Sequence, residues 1–582
     1  MKNLLTLKKY FIKYKTKLYW GMLFILISNA MTVYVPILLK DSINALQQNT
    51  TNKVLINYAL LIVGTSIIAG IFRYLIRQTI IVVSREIEFD LRGDFWEHIQ
   101  KLPLRYFQNN STGNIMSHAT NDINAVRMFI GPAVMYSIDT SIRLIIVVTI
   151  MISINFPLTI YALLPLPILS YGVYRVGKLI HEKYTKIQEN FSLLTTRAQE
   201  NFSGIRVIKS YVREENEIKR WSELSKEYLQ KNMNLVRIQA IIMPILYMIT
   251  GISIIVVIWI GGGKVISGEM NLGDITAFIV YLGILIWPMI AFGWVINIIQ
   301  QGESSMKRLN KILNEPYEIQ DTPAAETSLK ELKGQIEFRN VSFKYSDTLP
   351  EVLEKVNLKI DIGSTLAIVG HTGSGKTSLI NLIPRLYDVT SGEILIDGHN
   401  VKDIPLDILR TNVAVVQQES FLFSDSVYGN ISYGLREINN QRVEEVSRIA
   451  NFNKDVETFP NGYNTVVGER GITFSGGQKQ RASLARALAV DPKILILDDS
   501  FSAVDTHTEE EILKNLKAFM KNRTSIIISH RISTVKDADK IVVLENGKIA
   551  EQGTHEELVA LNGLYADLHY KQLLEKELEE LN

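Results

Sequence analysis

Residues 370–377 read Gly370-His371-Thr372-Gly373-Ser374-Gly375-Lys376-Thr377. They follow a short apolar run, residues 366–369, and precede Ser378 and a helix-like apolar stretch that reaches residue 383. Strand, glycine-rich loop and helix in that order make a phosphate-binding loop. The glycines let backbone N–H groups turn inward around phosphates, and the following helix adds the positive end of its dipole. Lys376 is placed to reach the β- and γ-phosphates of a nucleotide, and Thr377 to hold Mg²⁺ through its hydroxyl. A plain glycine-rich turn with a lone lysine is the alternative, and it fits this setting poorly.

The chain has 582 residues, too many for one domain. Its hydrophobic content is 47%, and the apolar excess lies in blocks before about residue 300. The net charge of +2 gives no field that would attract nucleic acid. With no cysteine, disulfides, thiolate metal sites and thiol catalysis are excluded. The start is basic and amphipathic, and its first apolar run continues into further membrane sequence, so it reads as a signal-anchor.

A helix needs about 20 mostly apolar residues to cross a bilayer. Six stretches qualify: residues 18–39, 59–83, 129–154, 158–179, 241–260 and 275–299. Lys8, Lys9, Lys13, Lys15 and Lys17 predict a cytoplasmic N-terminus. The connections after the second and fourth spans are long, charged and helical in pattern. They predict helices that run well past the membrane and bend, one near residues 109–113 and one near 201–204. Asp139 and Arg143 lie four apart on one face of the third span, so they form either a structural ion pair or a substrate or coupling-ion site.

Residues 316–333 are polar, contain Pro316 and Pro323, and read as a linker. From residue 334 short β-branched strands alternate with helices, the pattern of an α/β domain. Tyr345 is placed to stack on a purine or simply to pack in its strand. Gln418 ends an apolar strand, either as a ligand of Mg²⁺ or its water shell or as a loop glutamine. Residues 494–497 form a buried parallel strand with Asp498 and Asp499 at its C-terminal end, the edge where such sheets bind ligands. Asp498 is placed to hold Mg²⁺ through water, and Asp499 to orient the attacking water. Ser475, Gly476, Gly477 and Gln478 open a basic helix and make a second anion-binding helix start. In one chain that grip is redundant, and it makes sense if it closes over a nucleotide held by another subunit. His530, at the end of another apolar strand, either contacts a γ-phosphate or is an ordinary loop histidine.

Together these residues resemble an ATP-binding cassette (ABC) transporter, specifically the exporter type with six spans fused ahead of one nucleotide domain. The resemblance covers the whole chain. It implies an α-helical transmembrane domain over residues 1–315, the linker over 316–333 and an α/β P-loop ATP-binding domain over 334–582. It makes residues 370–377 Walker A, Asp498 the end of Walker B, and Phe474 to Gln478 the signature. It also makes Gln418 the Q-loop glutamine, Tyr345 the adenine-stacking aromatic, residues 502–505 the D-loop and His530 the switch histidine. Residues 465–471 resemble the loop before the signature that contacts coupling helices. ATP and Mg²⁺ are the implied cofactors. The implied site is multi-pass in the cell membrane, with the nucleotide domain cytoplasmic. The implied partners are a second half-transporter, the bilayer and a small amphipathic substrate such as a drug or lipid.

Two positions depart from the family pattern. Phe474 stands where the signature usually has leucine, and Asp499 stands where a catalytic glutamate is usual. The shorter side chain resembles the degenerate-site subunit of bacterial heterodimeric multidrug exporters, whose partner carries its own glutamate. A homodimer active through Asp499 and an ATP-gated regulatory membrane subunit are the other readings.

Overall fold

The computed structural model describes residues 2–48, 51–321, 329, 331–437, 439–468 and 473–580. The chain divides into two compact units, residues 1–100 with 112–315, and residues 101–111 with 316–582.

The first unit is helical. In hydrocarbon every backbone N–H and C=O must be satisfied within the segment, which a helix does. Five described helices are long and apolar enough to span a membrane: Lys15–Gln47, Asn52–Gln100, Thr112–Ile154, Glu214–Ile266 and Leu272–Leu313. The expected span at 158–179 begins in Phe156–Leu163 and continues in Pro165–Ser203. The side chains of residues 166–171, 173 and 174 lie outside the described residues.

Among the described residues several polar side chains cross between these helices and find partners there. The Arg143 guanidinium donates to both carboxylate oxygens of Asp139 at 3.0 and 3.2 Å. Asn29, fully buried on the first helix, completes the set. Its amide donates to Asp139 at 3.0 Å and its oxygen accepts from Arg143 at 2.9 Å. The Tyr281 hydroxyl donates to the Val33 carbonyl at 3.0 Å. Nearer one end, buried Asp122 accepts from Arg308 and sits 2.6 Å from the His118 ring. Outside the apolar stretch Lys9, Lys13 and Lys17 meet Asp94, Asp90 and Glu86 at 2.5, 2.6 and 2.6 Å. The hydroxyls of Tyr10 and Tyr14 donate to the same two aspartates.

The expected bends are broader than single turns. The second helix ends at Gln100, and Pro103 then sets an extended N-cap for a short helix, Leu104–Asn109. Asn110 is extended again before Thr112. Sequence pattern marked only the later break, because proline at a helix start leaves the apolar rhythm intact. The other bend has Gly204 ending one helix, a six-residue helix Ile205–Ser210, and Val212 at φ +50°.

The second unit carries the sheets. The smaller has β1 (Ile336–Phe343), β2 (Leu353–Ile360), β4 (Ser391–Ile396) and β5 (His399–Asn400) in the antiparallel order β2-β1-β4-β5. The larger has β3 (Thr365–Val369), β6 (Val413–Val416), β7 (Ile494–Asp498), β8 (Thr524–Ile528), β9 (Lys540–Glu545) and β10 (Lys548–Gly553). Its order is β10-β9-β3-β8-β7-β6, parallel from β9 through β6. Every residue of β7 and β8 is buried. That is why they read as unbroken apolar runs, since a parallel sheet is covered on both faces. At the entry to the unit the Asp397 carboxylate accepts from the backbone N–H groups of Lys333, Gly334 and Gln335.

Asp139 and Arg143 are partly buried, and removing one partner of such a pair leaves the other under-satisfied, at about 1–3 kcal/mol. Arg143→Met is expected to lower the thermal unfolding midpoint in detergent by several degrees. Adding Asp139→Leu should recover most of that loss. A double variant as unstable as the sum of the singles would show that the two charges do not support each other.

Candidate nucleotide site

Strand order builds this site. β3, β8, β7 and β6 lie side by side, and each ends at the same edge in a residue singled out from sequence. β3 feeds the glycine-rich loop, β8 leads to His530, β7 ends in Asp498 and Asp499, and β6 leads to Gln418. Adjacent strands are about 4.8 Å apart, so the four strand ends spread over roughly 14 Å and the loop and side chains converge from them. One cavity of about 260 Å³ is lined by Thr372, Gly373, Gly375, Lys376, Thr377, Ser378, Gln418, Asp498, Asp499 and His530, with Val352 and Ile528 as apolar walls.

The loop needs its glycines. Gly370 has φ +150°, and a Cβ there would lie 2.2 Å from the Leu544 carbonyl oxygen. Gly375 has φ +103° and opens helix α1 (Lys376–Asn381). Gly547 N–H donates to the Ser374 carbonyl at 3.1 Å, tying the loop to the β9–β10 turn. The Ser374 hydroxyl is buried with no partner among the described residues. His371 and Thr372 are exposed.

Lys376 is only 8% exposed, and its ammonium donates to the carbonyls of Gly370 and His371 at 2.9 Å each. Burial pushes its pKa down, against the opposing charges of Asp498 and Asp499. Asp498, 4% exposed, accepts from the Thr377 hydroxyl at 2.9 Å. Burial pushes its pKa up and neighbouring Asp499 adds to this, while Thr377 and Lys376 offset part. Asp499 is half-buried, has φ +45° and takes a 3.4 Å contact from the Gln418 amide. Its N–H donates to the Ile528 carbonyl at 2.9 Å.

Tyr345 stands beside the cavity without lining it. Its hydroxyl is 2.8 Å from the Ser378 hydroxyl, and its ring packs edge-on against Phe343 and Tyr387 at 4.9 and 5.3 Å. Tyr345 lies in the bend just beyond the end of β1 rather than in the strand, and its ring packs there while its hydroxyl reaches the loop helix.

The signature residues are not in that cavity. Ser475 caps helix α2 (Gly476–Ala489) in a reciprocal capping box with Gln478. Gly476 and Gly477 lie against Ala503, where a Cβ on Gly477 would be 2.9 Å from its carbonyl oxygen. Phe474 is 5% exposed, stacked on Phe459 at 5.1 Å and tilted against Phe452 at 5.8 Å. An aromatic pocket therefore accommodates the phenylalanine. Two residues not singled out from sequence hold this region. Asp455 accepts from Arg481 and from the Gln478 amide at 3.1 Å. Gln480 bonds Ser502 Oγ and Ala503 N–H at 3.0 Å each. The Ser-x-x-Gln spacing of a capping box was legible in sequence; a lone aspartate some twenty residues earlier gave no signal. Of residues 465–471, those from 469 onward lie outside the described residues.

These residues fit Mg²⁺ with a nucleoside triphosphate. A hydroxyl and a carboxylate sit together as oxygen ligands. A lysine and a helix start face the phosphate positions. The unpaired Ser374 hydroxyl is the kind of buried group that a bound ligand can explain.

Comparison with known families and structures agrees. The ABC transporter transmembrane region matches residues 18–289, and the ABC transporter family pattern matches residues 353–502. A probable multidrug resistance ABC transporter ATP-binding/permease protein of Bacillus subtilis, YheI, is 39% identical over 83% of this chain and 83% of its own length. An ATP-dependent lipid A-core flippase of Syntrophus aciditrophicus is 36% identical over 96% of this chain and 93% of its own. A solved bacterial Atm1-family ABC exporter with ATP bound superposes with TM-score 0.80 at 27% identity, covering 96% of this chain and 98% of that one.

The raised pKa of Asp498 sets a sign. Above the unfolded value of about 3.9 the native state holds more protons than the unfolded chain, so stability falls as pH rises through that window. Asp498→Asn removes this penalty and keeps an acceptor for Thr377. Without nucleotide and Mg²⁺, the variant should melt higher than the wild type at neutral pH, with the gap closing towards pH 4. Its Mg²⁺-dependent ATP binding should be lost. Equal melting at pH 7 would show that burial of this carboxylate carries no penalty.

Proposed function

The chain belongs to the ABC transporters as an exporter-type half-transporter that couples ATP hydrolysis to transport, and we propose that it is the slowly hydrolysing subunit of a heterodimeric multidrug or lipid exporter. The proposed cargo is an amphipathic small molecule, supported by relatives named for multidrug resistance and for lipid A-core flipping. In this reading residues 1–315 form the membrane domain, 316–333 the linker and 334–582 the ATP-binding domain. The N-terminus and the ATP-binding domain face the cytoplasm, in keeping with Lys8, Lys9, Lys13, Lys15 and Lys17 before the first span.

The residues take these roles. Residues 370–378 cradle the phosphates, with Lys376 moving from its two carbonyls to the β- and γ-oxygens. Thr377, Asp498 and Gln418 hold the Mg²⁺ or its water shell. Tyr345 borders the adenine position, and His530 contacts the γ-phosphate. Ser475, Gly476, Gly477 and Gln478 close over the ATP held by the partner. Bound Mg²⁺ supplies charge neutralisation between the β- and γ-phosphates.

Asp499 carries the heterodimer reading. It stands where its Oδ2 reaches Gln418, and it is one methylene shorter than glutamate. Misplacing a catalytic group by about 1 Å can cost on the order of a hundredfold in rate. A homodimer working through Asp499 is the second reading, favoured by the convergence of Asp499, His530 and Gln418 on one cavity.

The test is ATPase activity of the purified chain, alone and co-expressed with its partner. Slow turnover alone and fast turnover in the pair are expected. Asp499→Glu in the lone chain should raise turnover roughly tenfold to a hundredfold. Brisk hydrolysis by the lone chain, abolished by Asp499→Asn, would establish the homodimer instead.

A further inference from the structure

The loop that carries His530 is held by side chains. It leaves β8 at Ile528 and enters a short helix at Ile532. Between them the N–H of Arg531 donates to the Ser529 hydroxyl at 3.0 Å. Two other elements grip the loop. The first is helix α3 (Thr506–Met520), whose Glu509 is 3% exposed. Its carboxylate accepts from the Arg531 guanidinium and, at 2.5 Å, from the Thr534 hydroxyl.

The second grip is a single side chain from helix α4 (Leu564–Glu580), near the end of the chain. The Gln572 amide nitrogen donates to the carbonyl of His530 itself. Its amide oxygen accepts from the N–H of Ile532 at 2.8 Å. One planar amide thus bridges the backbone on both sides of Arg531 and fixes the peptide from which the imidazole projects. Gln572 lies outside residues 353–502, the part of the chain that the ABC transporter family pattern matches. Nothing in composition or periodicity distinguishes it from a surface glutamine.

We propose that Gln572 is a positioning residue for His530, through which the C-terminal helix sets how well this site distinguishes ATP from ADP. The inference rests on the reading of His530 as a γ-phosphate contact. The γ-phosphate is the only group that differs between the two nucleotides. A slack His530 peptide therefore weakens triphosphate binding and leaves diphosphate binding alone. Gln572→Leu removes both hydrogen bonds while keeping most of the side-chain volume. Gln572→Glu keeps the acceptor for Ile532 and replaces the donor with an oxygen facing the His530 carbonyl.

The experiment is calorimetric binding of AMP-PNP and of ADP, each with Mg²⁺, to the full-length purified chain in detergent. Gln572→Leu should lose roughly fivefold to a hundredfold in AMP-PNP affinity, the range set by the loss of two neutral hydrogen bonds. Its ADP affinity should be unchanged, which also shows that the cassette is folded. His530→Ala should give the same selective loss, and the double variant should lose no more than His530→Ala alone. Gln572→Glu should retain less selectivity than wild type. If His530→Ala is selective but Gln572→Leu is silent, or lowers both affinities equally, the positioning role is overturned. If His530→Ala is itself silent, the γ-phosphate reading of His530 falls, and this inference with it.

Discussion

Two buried charges govern the cassette. Lys376 and Asp498 share one pocket, each almost without solvent, and each is driven by burial towards its neutral form. Neither is bonded to the other. Lys376 is solvated by two loop carbonyls, and Asp498 by one hydroxyl. An arrangement of this kind does not stabilise a protein, because polar groups in low dielectric lose more hydration than such partners return. It persists because neighbouring elements prevent relaxation. Gly370 presses against the Leu544 carbonyl, Gly547 bonds back to Ser374, and Asp499 is pinned to Ile528. The proposed ligand would supply what the pocket lacks, phosphate for the lysine and a cation for the carboxylate. Cradle and strain are therefore one feature.

The other end of the domain obeys a different rule. At Ser475 no charge is buried; the helix start is satisfied by its own capping box. Residues 502 and 503 lie against it through Gln480 and the two glycines. The residues after Asp499 thus pack directly on the start of helix α2. The glycine-loop cavity and the start of helix α2 are separate but joined by a stretch of only a few residues.

Sequence reading succeeded where one residue type has one physical use. Gly370, Gly373 and Gly375 hold positive φ, and the acids fall at the C-terminal end of the buried apolar strand β7. The α/β texture and the apolar blocks were equally legible, because burial on both faces and membrane thickness each impose a pattern. Less legible were features that depend on who faces whom. Asn29 completes the Asp139–Arg143 pair from more than a hundred residues away, and no periodicity links it to them. Asp455, Glu509 and Gln572 each join two partners that only tertiary packing brings together. The double break at residues 101–111 was half visible, since Pro103 starts a helix as readily as it ends one.

The ladder of Lys9, Lys13 and Lys17 against Asp94, Asp90 and Glu86 has teeth one helical turn apart. Sliding one helix along the other by a turn of about 5.4 Å would bring Lys13 to Asp94 and Lys17 to Asp90, giving up a single rung. Sliding by half a turn breaks all three. Each rung is exposed and individually weak, but Tyr10, buried and bonded to Asp94, belongs to one register alone. The lysine ladder therefore spaces the allowed registers in whole notches, and the buried tyrosine picks one of them.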